Sequence, residues 1–305
     1  MSMIESTEFW VVFHLFVLCM VYVDLKIFHR NTKKISLRSI SLCCLFWVGL
    51  ALIFNILIGY FLGREAGFTF LTAYLLETSL SVDNLFLFLV IFSFCQIETR
   101  YQHKVLYLGI LGALVFRLLF ILLGISLLHK FEWMYFVFGA FLCFSAVCFY
   151  RQKGEAKDLS KSILVKIAKK IFRLDSGEHL GSFFIRKKGK LYVTTLFLSL
   201  FLIESSDIVF AVDSVPAVLA ITSNIFIAYT SNVFAVLGLR SFYFLLARLK
   251  EQFAHLKSSI ALILLFVGTK LILVPFWEIP SWATLTFIVT ALLVSILASF
   301  RSKSG

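Results

Sequence analysis

Glu204-Ser205-Ser206-Asp207-Ile208-Val209-Phe210-Ala211-Val212-Asp213-Ser214-Val215-Pro216 decides how this chain is read. Three carboxylates stand here inside a run whose flanks, Leu196 to Ile203 and Ala217 to Ile221, are otherwise apolar. A second stretch of the same kind, Glu77-Thr78-Ser79-Leu80-Ser81-Val82-Asp83-Asn84, lies in the other half of the chain. A charged side chain at the centre of a bilayer costs roughly 2.5–3.5 kcal/mol on the insertion scale, so five carboxylates cost on the order of 10 kcal/mol if nothing offsets them. Ionisable residues in such places mark ion or substrate pathways.

Working outward, the whole chain has the composition of a membrane protein. It has 305 residues, 60% hydrophobic and 15% charged, with 36 Phe and only 3 Pro, and its mean hydropathy is +0.95. So little charge excludes an ordinary soluble domain. The first apolar run, near 9–28, is preceded by Glu5 and Glu8 with no Lys or Arg, the wrong charge for a signal peptide, so it reads as a retained helix. The net charge of +12 collects in particular loops, which argues for membrane orientation and against a nucleic-acid partner. Cys19, Cys43, Cys44, Cys95, Cys143 and Cys148 all lie in apolar segments without a CxxC pair, and read as small core residues.

About 20 apolar residues cross a bilayer as a helix. Nine runs qualify: 9–28, 40–62, 68–95, 105–128, 132–150, 191–221, 225–247, 259–275 and 282–300. Every second connecting segment is basic: Arg30, Lys33, Lys34 and Arg38; Arg100 and Lys104; the 151–190 loop; Arg248, Lys250 and Lys257; then Arg301 and Lys303. The positive-inside rule therefore predicts nine transmembrane helices in an all-α polytopic fold, N-terminus outside and C-terminus inside. In the 151–190 loop twelve Lys or Arg stand against four Asp or Glu. There Ile163, Ile167 and Ile171 repeat at helical spacing among Lys161, Lys166, Lys169 and Lys170. This segment is either a short helix lying on the anionic inner leaflet or an unstructured basic connector.

The two acidic stretches align as Glu77-x5-Asp83-Asn84 over Asp207-x5-Asp213-Ser214. The alignment continues into the next runs, Leu111 to Arg117 over Phe234 to Arg240, and more weakly to Gly139 over Gly268. With the third run going outside to inside and the sixth the reverse, the two three-helix units are inverted repeats, a plan common in secondary transporters. The expected organisation is 1–67 for two peripheral helices, 68–150 for the first repeat, 151–190 for a basic cytosolic loop, 191–275 for the second repeat, and 276–305 for a last helix and basic tail.

On an unbroken helix Glu77 and Asp83 are about 120° apart with a rise near 9 Å, too far to share one ion. A local unwinding would bring them together. Pro216, which cannot donate to the Val212 carbonyl, supplies a reason for a helix break in the sixth run. Ser79 and Ser81 can compete for backbone bonds in the third. The expected metal-binding set is Glu77, Asp83, Asn84, Asp207, Asp213 and Ser214, an all-oxygen set suited to Mg²⁺, Ca²⁺ or Mn²⁺ and not to copper or zinc. Arg117, Arg240 and Lys270 read as charge-compensating or gating residues; the bland alternative is that they form structural ion pairs with the acids. His14 and Asp24 read as packing or terminal residues, and Gly59-x3-Gly63 fits a small-residue helix-contact pattern.

At these two acidic segments the chain resembles the TerC family of integral membrane proteins, within the LysE transporter superfamily, over roughly residues 9–298. Members are mainly linked to export of divalent manganese, some to calcium or to pH response. The resemblance implies Mn²⁺ export, with Ca²⁺ next, across a bacterial inner membrane or a related organelle membrane, with Glu77, Asp83, Asp207 and Asp213 as the matching acids. One departure is Cys148, where members often carry a lysine; the counterpart lysine in the second repeat persists as Lys270. The function expected is a secondary transporter working by alternating access around a midplane acidic site, with proton exchange as the coupling, and with no tightly bound cofactor. An intramembrane aspartyl enzyme is disfavoured because no GxGD-like segment occurs. The alternative is a non-transporting accessory protein that helps metallate or insert other membrane proteins, docking through the 151–190 loop. Export of an amino acid rests on superfamily analogy alone. The partners expected are the bilayer, the metal ion and protons; the sequence does not specify the oligomeric state.

Overall fold

A computed structural model describes residues 7–28, 37–131, 133–151, 163–175, 181–187, 189–249, 256–277 and 279–301. Its helices are α1 (Thr7–Phe28), α2 (Leu37–Leu62), α3 (Arg64–Phe94), α4 (Thr99–Lys130), α5 (Met134–Arg151), α6 (Ile163–Ile171), α7 (Thr195–Leu219), α8 (Ile225–Leu249), α9 (Leu256–Leu273) and α10 (Ser281–Arg301). By length and apolar composition, five of the described helices are able to cross a membrane: α2, α3, α4, α7 and α8. Four more, α1, α5, α9 and α10, contain shorter described apolar stretches. The chain is an all-α polytopic membrane protein. Each of the nine apolar runs read from the sequence overlaps one helix, with α3 and α4 beginning four to six residues earlier than expected and α7 four residues later.

Burial separates centre from periphery. In α8, 89% of the apolar window is buried inside the protein, against 22% in α2. Leu42, Leu45, Ile53, Ile56 and Tyr60 on α2 point outward, as a lipid-facing helix requires. Phe54 of α2 packs on Phe234 of α8 with ring centroids 4.6 Å apart. His14 locks α1 to α8: its Nδ1 donates to the Trp10 carbonyl at 2.7 Å and its Nε2 accepts from the Tyr229 hydroxyl at 3.0 Å. It is a packing residue, as expected; the Asp24 side chain lies outside the described set.

Helix pairing crosses between the two halves of the chain. The main packed pairs are α3 with α8, α4 with α7, and α5 with α9. Among the described residues, α3–α4, α7–α8 and α8–α9 are not packed pairs, and α4 touches α5 only slightly. Gly139 and Gly268 meet at the α5–α9 crossing: a Cβ on Gly139 would come 2.8 Å from the Gly268 carbonyl, and a Cβ on Gly268 2.9 Å from the Gly139 carbonyl. Glycine at both positions is what lets these backbones approach. Gly59 meets a glycine of α3: a Cβ on Gly67 would come 3.2 Å from the Gly59 Cα, whereas one on Gly59 would meet nothing within 4 Å. Gly63 is not on that contact face; it turns the chain between α2 and α3 at φ +95°, which suits glycine.

The segment between α5 and α7 is folded where it is described. It forms α6 and three short strands: β1 (Leu174–Asp175), β2 (Phe184–Lys187) and β3 (Lys190–Thr194), in the order β1-β3-β2. β1 pairs parallel to β3 and β2 antiparallel, with Phe184 opposite Val193 and Arg186 opposite Leu191. Residues 191–194, read as the start of the sixth apolar run, are therefore strand. Thr194 ends β3 and caps α7: its hydroxyl accepts from the Phe197 N–H at 3.4 Å and donates to the Ser182 carbonyl at 2.7 Å.

Candidate functional site

The buried charges gather where α3, α4, α7 and α8 meet. Glu77 on α3 is 1% exposed, Arg117 on α4 is 4% exposed, and the two form an ion pair. Asn232 on α8, 1% exposed, completes a triangle. Its amide nitrogen donates to Glu77 Oε2 at 3.3 Å, and its amide oxygen accepts from the Arg117 guanidinium. Asp207 on α7 is buried and lies within electrostatic reach of Arg117. One guanidinium thus stands between the acids of both halves. Dropping such a pair into a low-dielectric interior is costly unless further hydrogen bonds complete it, and Asn232 supplies two.

The second acidic segment is less satisfied. Among the described residues, Asp207 Oδ1, Glu204 Oε2 and the Ser214 hydroxyl are buried without a hydrogen-bond partner. Glu204 reaches α4 at Gly112, where any Cβ would overlap its carboxylate. The neighbourhood of Glu204 includes the charge of Asp207. Asp213, about 1.7 turns beyond Asp207 along α7, is directed elsewhere: Ser145 on α5 donates to its Oδ1 at 2.7 Å.

The expected set is only partly assembled. Glu77 is paired with Arg117 and Asp207 lies within its electrostatic reach, whereas Asp213 is held on α5 and Asn84 and Ser214 are buried on their own helices. The Asp83 side chain lies outside the described residues. Among the described residues, no three His, Cys, Asp or Glu side chains are close enough together to hold a metal ion. Arg240 and Lys270 are buried at 2% and 5% exposure, and both engage in interactions.

The expected helix breaks are not there. α7 continues through Pro216 to Leu219, and α3 is continuous across Ser79 and Ser81. Pro216 sits in the last turn, and its own carbonyl still accepts from Ala220 at 2.9 Å. Pro216 has no N–H to give the Val212 carbonyl, yet the helix runs on for three more residues. The hydroxyls bond back to their own helices: Ser79 to the Leu75 carbonyl, Thr78 to Tyr74 and Ser206 to Leu202, at 2.6–2.7 Å. These three are satisfied without opening a turn, whereas the Ser81 hydroxyl, like that of Ser214, is buried without a partner among the described residues. On a continuous helix the separation of about 120° and 9 Å applies, which is why Asp207 and Asp213 face different neighbours.

Sequence reasoning missed Asn232, Ser145 and Gly112. Asn232 left a faint signal, a lone amide in an apolar run. The other two left none, because their roles depend on which helix lies opposite.

Comparison with known proteins agrees with this architecture. The model of the "Integral membrane protein TerC family" matches residues 62–305. An uncharacterized membrane protein of Rickettsia bellii is 38% identical over 295 residues, 97% of this chain and 98% of its own length. One from Myxococcus xanthus is 39% identical over 296 residues, 97% and 93% of the two chains. A protein of Escherichia coli K12 called "Putative membrane-bound redox modulator Alx" is 38% identical over 289 residues, covering 92% and 90%. No solved structure matches. With its family model spanning the acidic helices and relatives alike end to end, this chain belongs to the TerC family of integral membrane proteins.

Proposed function

We propose that the protein exports a divalent metal cation, Mn²⁺ first and Ca²⁺ next, by alternating access in exchange for protons. The observation that carries this reading is the cluster around Arg117: buried carboxylates from both acidic segments, some oxygens without partners, on helices long and apolar enough to cross a membrane. An unsatisfied polar group in lipid-excluded membrane interior costs several kcal/mol, and a cation that binds and leaves is a reason to keep one. The oxygen-only donors suit a hard cation.

In this reading the chain has nine transmembrane helices in a bacterial inner membrane, N-terminus outside, with α3–α5 and α7–α9 as inverted repeats. The crossed pairing supports the repeat, because exchanging the two halves turns α3–α8 packing into α7–α4 packing and leaves α5–α9 unchanged. Gly139 and Gly268, matched in the sequence alignment, meet on that crossing. Arg117 is the tethered cation of the site: the incoming metal ion takes its place at Glu77 and Asp207, and Asn232 keeps the guanidinium nearby. Since helices within one repeat scarcely touch, the bodies that move are mixed pairs, α3 with α8 and α4 with α7, and not one repeat against the other.

The test is cellular manganese in manganese-loaded cells that lack their own exporter. Native protein is compared with Glu77→Gln and Asp207→Asn at matched membrane levels. The native chain lowers manganese and the variants do not. Unchanged manganese with folded, inserted protein overturns the reading and brings the accessory role forward.

A further inference from the structure

The fold leaves one face of α6 uncovered. At about 100° per residue, Val165, Ala168 and Phe172 share one side of α6, where Val165 and Ala168 are fully buried. Phe172 stacks edge-on against Phe197 and Phe201 of α7, with centroids 5.1 and 5.5 Å away. Ile167 and Ile171 lie on an adjoining side and are 40% and 64% exposed. Lys166 and Lys170 form the next stripe around the helix and are exposed. The apolar arc of α6 is thus wider than its contact with α7 and the sheet. Its uncovered part ends in a row of lysines.

The position of this unit relative to the bilayer follows from covalent connection. β3 ends at Thr194 and α7 starts at Thr195, with no residue between. A second tie joins the unit to α4: Lys104 Nζ donates to the Gly181 carbonyl at 2.8 Å and lies 4.9 Å from the centre of the Phe183 ring. Gly181, at φ +72°, rests on Tyr101 so closely that a Cβ would sit 2.5 Å from its ring. The unit is therefore held against the ends of two membrane helices. Lys166, Lys170, Arg173, Arg186 and Lys190 make its exposed surface basic, while its described acid, Asp175, is paired with Lys187.

We propose that the α6 face bearing Ile167 and Ile171 inserts into the anionic lipid surface next to the ends of α4 and α7, with Lys166 and Lys170 at the phosphate level. An exposed apolar stripe bordered by lysines and held at a membrane is the pattern of an interfacial helix. Acidic lipid headgroups provide the complementary charge. The expectation of a helix on the inner leaflet is thereby given a definite face. The same ties give the lipid surface a grip on α4, which carries Arg117, and on α7, which carries Asp207 and Asp213.

The test places an environment-sensitive fluorescent amino acid at position 171 of the full-length protein, reconstituted in vesicles. Vesicles contain chain-brominated phosphatidylglycerol or chain-brominated phosphatidylcholine. Strong quenching is expected in phosphatidylglycerol and weak quenching in phosphatidylcholine. Lys166→Gln and Lys170→Gln should each weaken the local lipid partition about fivefold, and molar salt should do the same by screening. Absence of quenching in both lipids overturns the proposal, and equal quenching that ignores salt and both lysines overturns its anionic part. The readout does not depend on transport, so it stands or falls separately from metal export.

Discussion

The two acidic segments occupy matching places on α3 and α7, yet they are treated differently. On α3, Glu77 has an arginine and an amide, and all three side chains are almost wholly buried. On α7, Glu204 and Asp207 each leave an oxygen without a partner among the described residues, and Asp213 has a single serine. The asymmetry comes from the partners and from one extra acid, since Glu204 aligns with Tyr74. Asn232 aligns with Gly109 in the other half, and Ser145 aligns with Val274. Glu77 is thus tightly compensated while Glu204 and Asp207 are less so, the arrangement needed if a mobile cation is to be drawn toward one side of a fixed one.

The largest break in this comparison is expected from Arg117→Ala. It leaves Glu77 buried without its cation, and losing one partner of a buried pair costs about 3–5 kcal/mol. Thermal unfolding of the detergent-purified protein should show it, and adding Glu77→Gln should restore most of the loss. If the double variant is as unstable as the single one, compensation of Glu77 is not what Arg117 provides.

Asn232→Leu comes next. It removes two interhelical hydrogen bonds, each worth up to about 1.7 kcal/mol within a membrane, and the same unfolding measurement should place it clearly below native. A stability unchanged by this variant would mean that the triangle does not restrain Arg117.

Gly112→Ala sharpens the other half. Its methyl group overlaps the Glu204 carboxylate, and overpacking of this kind costs about 1–3 kcal/mol. Because the clash needs both residues, Gly112→Ala and Glu204→Ala should be strongly non-additive in a double-mutant cycle. Additive effects would put Glu204 somewhere other than against α4.

Ser145→Ala should do least. Interhelical hydrogen bonds within membranes average about 0.6 kcal/mol, and Asp213 keeps partial exposure. An effect as large as that of Asn232→Leu would mean the halves are equally restrained, and the contrast between them would fail.

Much of the helical framework was legible because it is local. Lipid asks for long apolar runs, and each run read from the sequence became a helix, with ends displaced by a few residues. The short strands between α6 and α7 were not legible: two to five residues in a basic loop carry little pattern, and Val193 and Leu174 pair because Phe172 and Phe197 give them something to cover. The buried acids and Arg117 were visible as charges in apolar sequence. The expected unwinding at Pro216 was a local inference that failed: α7 stays helical although Pro216 has no N–H for the Val212 carbonyl.

What the sequence by itself determined is therefore the class of the molecule and which residues must find a use: an all-α membrane protein carrying carboxylates that lipid cannot tolerate bare. Tertiary structure alone decided which carboxylate meets which partner. Glu77 is 155 positions from Asn232 and Asp213 is 68 from Ser145, and such meetings depend on how helices cross. The periodicity of one helix says which face is polar; it says nothing about the helix that will lie against it.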